Sequence, residues 1–125
     1  MTKYWMVGLG GFFGSIARFW LGSYITYRAG ARFPYGTFVI NVTGSFLIGL
    51  VVTLLAERTH WSPNLLYLIP IGFVGGYTTF STFELEAFRE VRNGDVLLAL
   101  LYVMLSVCAG FFAVWLGAIA GRALE

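Results

Sequence analysis

Residues 72–83 read GFVGGYTTFSTF and lie in the third of four apolar runs, where a membrane-spanning helix is normally apolar throughout. The stretch holds three glycines and four serine or threonine hydroxyls, closes on two phenylalanines three residues apart, and follows Pro70 by two positions. Glycine and hydroxyl side chains weaken a helix, and a backbone group freed within lipid must find another partner. The stretch therefore predicts a discontinuous helix at a permeation site. The alternative is a kinked packing helix that uses small residues for close contact.

Composition places the chain among membrane proteins. It has 125 residues, of which 58% are hydrophobic and 11% charged, and its mean hydropathy is +0.79. Soluble domains carry about 25% charged residues. Because a bilayer core of about 30 Å needs about 20 apolar residues per helix, four passes nearly exhaust the chain and leave no room for a soluble domain. A net charge of +2 without a basic cluster argues against nucleic acid as a partner.

The apolar runs predict an all-α membrane protein with one four-helix transmembrane domain over residues 1–125. The predicted helices cover about residues 4–27, 37–56, 65–91 and 96–121, and the third is expected to break near 75–79. In the first helix, Gly10 and Gly14 are four residues apart on one face, which suits close packing against another helix.

One cationic side chain and one amide side chain lie inside the first two runs. Arg18 is costly in a membrane helix unless it is paired or near water, so it either extends to an interface or lines an aqueous vestibule that attracts anions. Asn41 offers two N–H donors where lipid offers no partner. It either bonds a neighbouring helix or turns a donor toward a pore.

Positive charges hardly distinguish the two ends of the predicted bundle. One side holds Lys3, Arg58 and Arg122, and the other holds Arg28, Arg32, Arg89 and Arg92. Orientation follows the excess of Lys and Arg on cytoplasmic loops, so three against four predicts insertion in both orientations. Four helices are also few for enclosing a pore alone. Both facts predict an antiparallel homodimer with its two-fold axis in the membrane plane.

The polar inventory of the apolar runs favours an anion as the transported species. Its members are Asn41, Thr78, Thr79, Ser81, Thr82, Tyr102 and Ser106, with Arg18 near an entrance. The apolar parts of runs one, two and four hold no Glu, Asp or His, the titratable groups that a proton-coupled exporter needs. This disfavours the alternative function, a small dual-topology proton-coupled multidrug exporter. A membrane scaffold that transports nothing is a second alternative.

Phe80 and Phe83 are three residues apart and share one helix face. An aromatic ring has a positive edge, so two edges can hold a small anion where few hydroxyls reach. The alternative is that they are ordinary packing residues.

Three motifs closely resemble the Fluc/CrcB family of fluoride channels. They are GGFFGSIAR at residues 10–18, GTFVINVTG at 36–44 and GGYTTFSTF at 75–83. The third is highly specific, the other two are supportive, and the resemblance covers essentially the whole chain. It implies passive, selective fluoride export through a dual-topology homodimer with two pores in a bacterial inner membrane. It also implies a structural sodium ion at the dimer centre, and no catalysed reaction.

The resemblance also implies roles for individual residues. Phe80 and Phe83 would be the anion-coordinating rings and Asn41 a pore donor, while Ser81, Thr82, Tyr102 and Ser106 would form a polar track along one pore wall. The backbone carbonyls of Gly75 and Thr78 from both subunits would hold the sodium. Glu86 matches an acid at the cytoplasmic end of the track, whereas Glu84 and Gly110 depart from the family pattern.

Overall fold

The described residues fold into four helices, the third of which is interrupted. The computed structural model describes residues 1–57 and 61–124, so Arg58 lies outside the described residues. The elements are α1 (Thr2–Ala29), α2 (Tyr35–Glu57), α3 (Asn64–Leu66), a π-helical stretch (Tyr67–Val74), α4 (Gly75–Tyr77), α5 (Phe80–Arg92) and α6 (Val96–Ala123). The described residues contain no strand. The predicted all-α class is confirmed.

Three helical segments of the described chain are long and apolar enough to cross a membrane. They are Tyr35–Ala56, Asn64–Arg92 and Val96–Ala123. The first helix, α1, has 28 residues but does not meet both criteria, because glycines, hydroxyls and Arg18 dilute its apolar residues. The prediction of four membrane passes is thus supported for three helices by length and composition.

The first half of the interrupted helix, α3 through α4, packs against α1 at glycines. Gly10 and Gly14 are both buried, and a methyl group added to Gly14 would lie 2.9 Å from the backbone nitrogen of Tyr77. A methyl group on Gly76 would lie 2.8 Å from the carbonyl oxygen of Gly11. Real side-chain carbons do not approach backbone atoms this closely. The close contact predicted for Gly10 and Gly14 is therefore confirmed, and their partner is the first half of the third helix.

The second pair of helices is formed by α2 and α6, which also contact each other extensively. Gly117 on α6 lies against α2, where an added methyl group would approach the backbone nitrogen of Leu50 to 2.9 Å. One turn later, Gly121 lies against Thr53. Glycine thus sets the spacing of both helix pairs.

Threonines, not glycines, form the interruption. Thr78 (φ −81°, ψ 158°) and Thr79 (φ −148°, ψ 116°) are extended, whereas Gly75 is helical (φ −61°, ψ −37°). Thr79 caps α5, since its hydroxyl oxygen accepts a 3.3 Å hydrogen bond from the backbone N–H of Thr82. The break is therefore a capped helix start, with one of the free N–H groups of the first turn, that of Thr82, satisfied by a side chain.

Candidate functional site

Arg18 and Asn41, the one cation and the one amide of the first two runs, both bond to the backbone at the break. The Arg18 Nε donates a 3.0 Å hydrogen bond to the carbonyl oxygen of Gly76. The Asn41 Nδ2 donates to the carbonyl oxygen of Thr79 (3.0 Å), and its Oδ1 accepts from the N–H of Thr79 (2.8 Å). Helix ends in lipid leave backbone groups without partners, and these side chains supply them. The break is thus held from α1 and α2 at once.

A fourth hydrogen bond fixes the end of α4. The hydroxyl of Thr43 donates to the carbonyl oxygen of Val39 at 2.7 Å, so its single proton is used there. The hydroxyl of Tyr77, 2.8 Å away, is therefore the donor to Thr43. The Tyr77 ring also stacks on Phe73 at 5.9 Å between centroids. Tyr77 is buried, so the residue just before the break is fixed by both its ring and its hydroxyl.

An open groove of about 320 Å³, here the phenylalanine groove, runs beside the break. Its walls include Asn41, Ser45, Thr78, Phe80, Phe83 and Ser106. The rings of Phe80 and Phe83 are 6.0 Å apart at an angle of 51°. Phe83 is 6% exposed, whereas Phe80 is 74% exposed in the single chain. One ring therefore belongs to the core and the other projects from it.

The hydroxyl of Ser106 is the unexplained group of this groove. Its oxygen is buried and has no hydrogen-bond partner among the described residues. Buried polar atoms are nearly always paired, so an unpaired one that lines a groove points to a partner outside the chain. The sequence offered Ser106 as one of several hydroxyls in the apolar runs, and the resemblance to a family placed it on a pore wall, but nothing in the sequence indicates that this hydroxyl lacks a partner.

A second and larger cavity of about 550 Å³, here the arginine cavity, lies on the other side of the break. Its lining includes Arg18, Ser23, Thr26, Thr37, Thr82 and Glu86. Thr79 lines both the cavity and the groove, so the two spaces meet at the break. Arg18 is half-buried here, and among the described residues its hydrogen bond is made through Nε, so the donors of its two terminal nitrogens remain for other partners.

Both carboxylate oxygens of Glu86 accept hydrogen bonds. The Thr37 hydroxyl donates to Oε1 at 2.7 Å, and the Tyr102 hydroxyl donates to Oε2 at 2.8 Å. Tyr102 is completely buried, and its ring contacts Phe83 edge-on at 5.1 Å. Sequence reasoning missed Thr37 as a partner of Glu86. Nothing in the spacing indicates it, because the two residues are 49 positions apart.

The structure brings some of the predicted site residues together and not others. Asn41, Thr78, Phe80, Phe83 and Ser106 share the phenylalanine groove. Arg18 and Thr82 line the arginine cavity. Tyr102 is buried on Glu86, while Ser81 and Gly75 are exposed in the single chain and line neither space. The roles assigned to these residues remain predictions.

Comparisons with known proteins point to the same family over nearly the whole chain. Residues 5–118 match the family described as CrcB-like protein, Camphor Resistance (CrcB). The fluoride-specific ion channel FluC of Acidobacterium capsulatum is 51% identical over 120 residues, 96% of both chains. That of Solibacter usitatus is also 51% identical, over 96% of this chain and 98% of its own. That of Citrifermentans bemidjiense is 40% identical over 94% and 95% of the two chains. The chain therefore belongs to the CrcB-like protein family.

Proposed function

We propose that this chain is a fluoride-selective channel that lets fluoride leave the cytoplasm passively, as a multi-pass protein of a bacterial inner membrane. The observation that carries the proposal is the phenylalanine groove, where the unpaired hydroxyl of Ser106 faces the same space as Phe80 and Phe83. The relatives named as fluoride-specific channels supply the ion. No observation favours the proton-coupled exporter.

The groove offers the kinds of contact that a small anion needs. The hydroxyl of Ser106 is free to donate, and Asn41 has a second amide N–H besides the one bonded to Thr79. The two phenylalanine rings present positive edges. Fluoride sheds its water only where several donors replace it at short range, so size and donor density select it over chloride.

The arginine cavity would gather the anion at one end of the path. Arg18 keeps its charge whatever its partners, and a charged wall in a low-dielectric cleft raises the local concentration of counter-ions. Glu86 on the same wall has the opposite sign, but Thr37 and Tyr102 each donate to its carboxylate. These two bonds hold the carboxylate against α2 and α6 and delocalise its charge.

The working unit we propose is an antiparallel homodimer surrounded by lipid. The groove is open on one side, Phe80 projects from it, and Gly75 and Ser81 are exposed polar or backbone groups that lipid cannot satisfy. A second copy would cover them. Large apolar side chains on α6, such as Leu97, Met104 and Phe111, are exposed and would face lipid.

We also propose that α1 crosses the membrane. Exposed aromatic residues stand near both ends of this helix, with Tyr4 and Trp5 at the start and Tyr24 and Tyr27 near the end. They are about 20 residues apart, which at 1.5 Å per residue is about 30 Å, the thickness of the hydrocarbon core. Tyrosine and tryptophan are enriched at both membrane interfaces, so the pattern fits a spanning helix.

A structural sodium ion at the dimer centre fits the donor set at the break. Arg18 takes the carbonyl oxygen of Gly76 and Asn41 takes that of Thr79, whereas the proposed ligands are the neighbouring carbonyls of Gly75 and Thr78. Unwound backbone and half-helix ends supply such carbonyls to sodium in membrane proteins. Two carbonyls from each copy would make four ligands. When bound, the ion would be coordinated by these carbonyl oxygens and would link the breaks of the two subunits.

The proposal is tested by ion efflux from vesicles that contain the purified protein. We expect rapid fluoride efflux, no chloride efflux, and no dependence on a proton gradient. Phe80→Ile and Phe83→Ile should abolish or greatly slow fluoride efflux while size-exclusion chromatography still shows the dimer. Chloride efflux as fast as that of fluoride, or no efflux of either ion, would contradict the proposal.

The antiparallel arrangement has its own test. Asn93→Lys adds charge beside Arg89 and Arg92, and Ser62→Lys adds it on the opposite side of the bundle. Each variant alone should insert in one orientation and lose most of its efflux, and co-expression of the two should restore it. Full activity of both variants when each is expressed alone would rule out the antiparallel dimer.

A further inference from the structure

Phe33 is the centre of an aromatic cluster in the connection between α1 and α2. Its ring centroid lies 4.8 Å from Tyr35, 6.0 Å from Phe38 and 5.3 Å from Tyr102. Phe33 itself is half-buried, although it belongs to a connection and not to a helix. A loop residue that packs against a completely buried ring acts as part of the core beneath it.

Tyr102 links this loop to the phenylalanine groove. Phe33 meets its ring nearly perpendicularly, at 83°, and Phe83 meets it at 5.1 Å and 65°. Phe83 in turn contacts Phe80 at 6.0 Å. Four rings therefore run without interruption from the loop to the exposed end of the groove. Edge-to-face contacts fix the orientation of a ring as well as its position.

The orientation of Tyr102 matters because its hydroxyl donates to Glu86. That carboxylate lines the arginine cavity. If the Tyr102 ring turned, the Oε2 of Glu86 would lose its donor, and the carboxylate would be held only by Thr37 and could turn further into the cavity. A negative charge there repels an anion in a low-dielectric surrounding.

We infer that Phe33 is a positioning residue of the anion path: it fixes the Tyr102 ring, and through it the Glu86 carboxylate and the Phe83 edge. This inference rests on the proposed function. It assigns a role in permeation to a loop residue that reaches neither the groove nor the cavity, since both are lined by other residues.

The test compares fluoride efflux of Phe33→Ala with that of the unaltered channel. Removing the ring should slow efflux roughly tenfold. This factor corresponds to the interaction free energy that is typical of two residues in contact. Arg32→Ala, an exposed change in the same connection, should leave the rate unchanged. Size-exclusion chromatography and a thermal midpoint check that each variant is a folded dimer. Where Phe33→Ala fails to fold, Phe33→Leu keeps apolar bulk without an aromatic edge and should slow efflux several-fold.

A double-variant cycle separates positioning from stability. Tyr102→Phe keeps the ring and removes the hydroxyl, so in that background Phe33→Ala acts through the Phe83 edge alone and should slow efflux less than it does in the unaltered channel. Its effect on the thermal midpoint, which reports packing alone, should persist. Full additivity of the two rates, or an unchanged rate for Phe33→Ala or Phe33→Leu, would overturn the inference. Absence of fluoride efflux from the unaltered protein would instead overturn the proposed function.

Discussion

The two halves of the interrupted helix are held in opposite ways. The half before the break, residues 64–77, has no charged residue and lies backbone to backbone on α1 at glycines. The half after it, α5, carries five charged residues in thirteen and is held by side chains, with Glu86 bonded to both α2 and α6. A backbone contact leaves no room to adjust, whereas side-chain bonds can be exchanged one at a time. The first half is therefore the scaffold and the second the adjustable wall.

The largest expected effect comes from adding one methyl group to the scaffold. In Gly14→Ala the new carbon would lie 2.9 Å from the Tyr77 nitrogen and still closer to the Phe73 carbonyl oxygen, and backbone atoms cannot move aside cheaply. We expect a loss of about 1–3 kcal/mol or more, seen as a lower thermal midpoint and less dimer on size exclusion. Gly8→Ala, with nothing within 4 Å on the same helix, is the matched control. Equal behaviour of the two variants would contradict the backbone contact.

The next effect is expected at the junction of the halves. Asn41→Asp keeps an acceptor for the Thr79 N–H but places a second oxygen against the Thr79 carbonyl. Leaving that carbonyl without its donor should cost about 1–3 kcal/mol, seen as a lower thermal midpoint together with slower fluoride efflux. A slower efflux at an unchanged midpoint would indicate that Asn41 serves the pore alone. The two measurements thus distinguish a role of Asn41 in stabilising the break from a role as a donor in the pore.

The smallest effect is expected on the adjustable wall. Thr37→Val keeps the shape of the side chain and removes one of the two donors to Glu86. Because Tyr102 still donates to the other oxygen, we expect efflux to slow only several-fold. That is no more than the loss of one hydrogen bond to a charged group would cause. Thr53→Val on the same helix is the control. A collapse of the fold in Thr37→Val, as severe as that in Gly14→Ala, would remove the distinction between the two halves.

The helical class and the polar residues at the break could be predicted from the sequence. The exact position of the break and the long-range contacts could not, for physical reasons. The all-α class follows from composition, and the costly Arg18 and Asn41 both needed polar partners, which they find at the break. The break itself lies at Thr78 and Thr79, within the predicted interval, but the glycines before it are helical. A glycine weakens a helix in isolation, and packing against another backbone outweighs that weakness.

The long-range partners could not be predicted. Thr37 and Glu86 are 49 residues apart, and the Phe33 contact with Tyr102 joins a loop to a distant helix. No helical period relates such positions, so only the folded chain shows them. The sequence did predict a helix in the first run. The glycines that let α1 pack closely also lower its hydropathy, so α1 is less apolar than the three helices that are apolar enough to cross a membrane.

The π-helical stretch Tyr67–Val74 around Pro70 has a consequence for insertions and deletions. Such a stretch contains one more residue than an α-helix of the same length would, and each residue of an α-helix turns the chain by about 100°. A single deletion there can therefore be absorbed as the stretch closes to an α-helix of the same length, which keeps Gly76 on the α1 backbone and the break beside Arg18 and Asn41. The segment Tyr67–Val74 is therefore the part of the third helix where the loss of one residue disturbs the contacts of the break least, whereas the same loss in α5 would turn the residues that follow by about 100°.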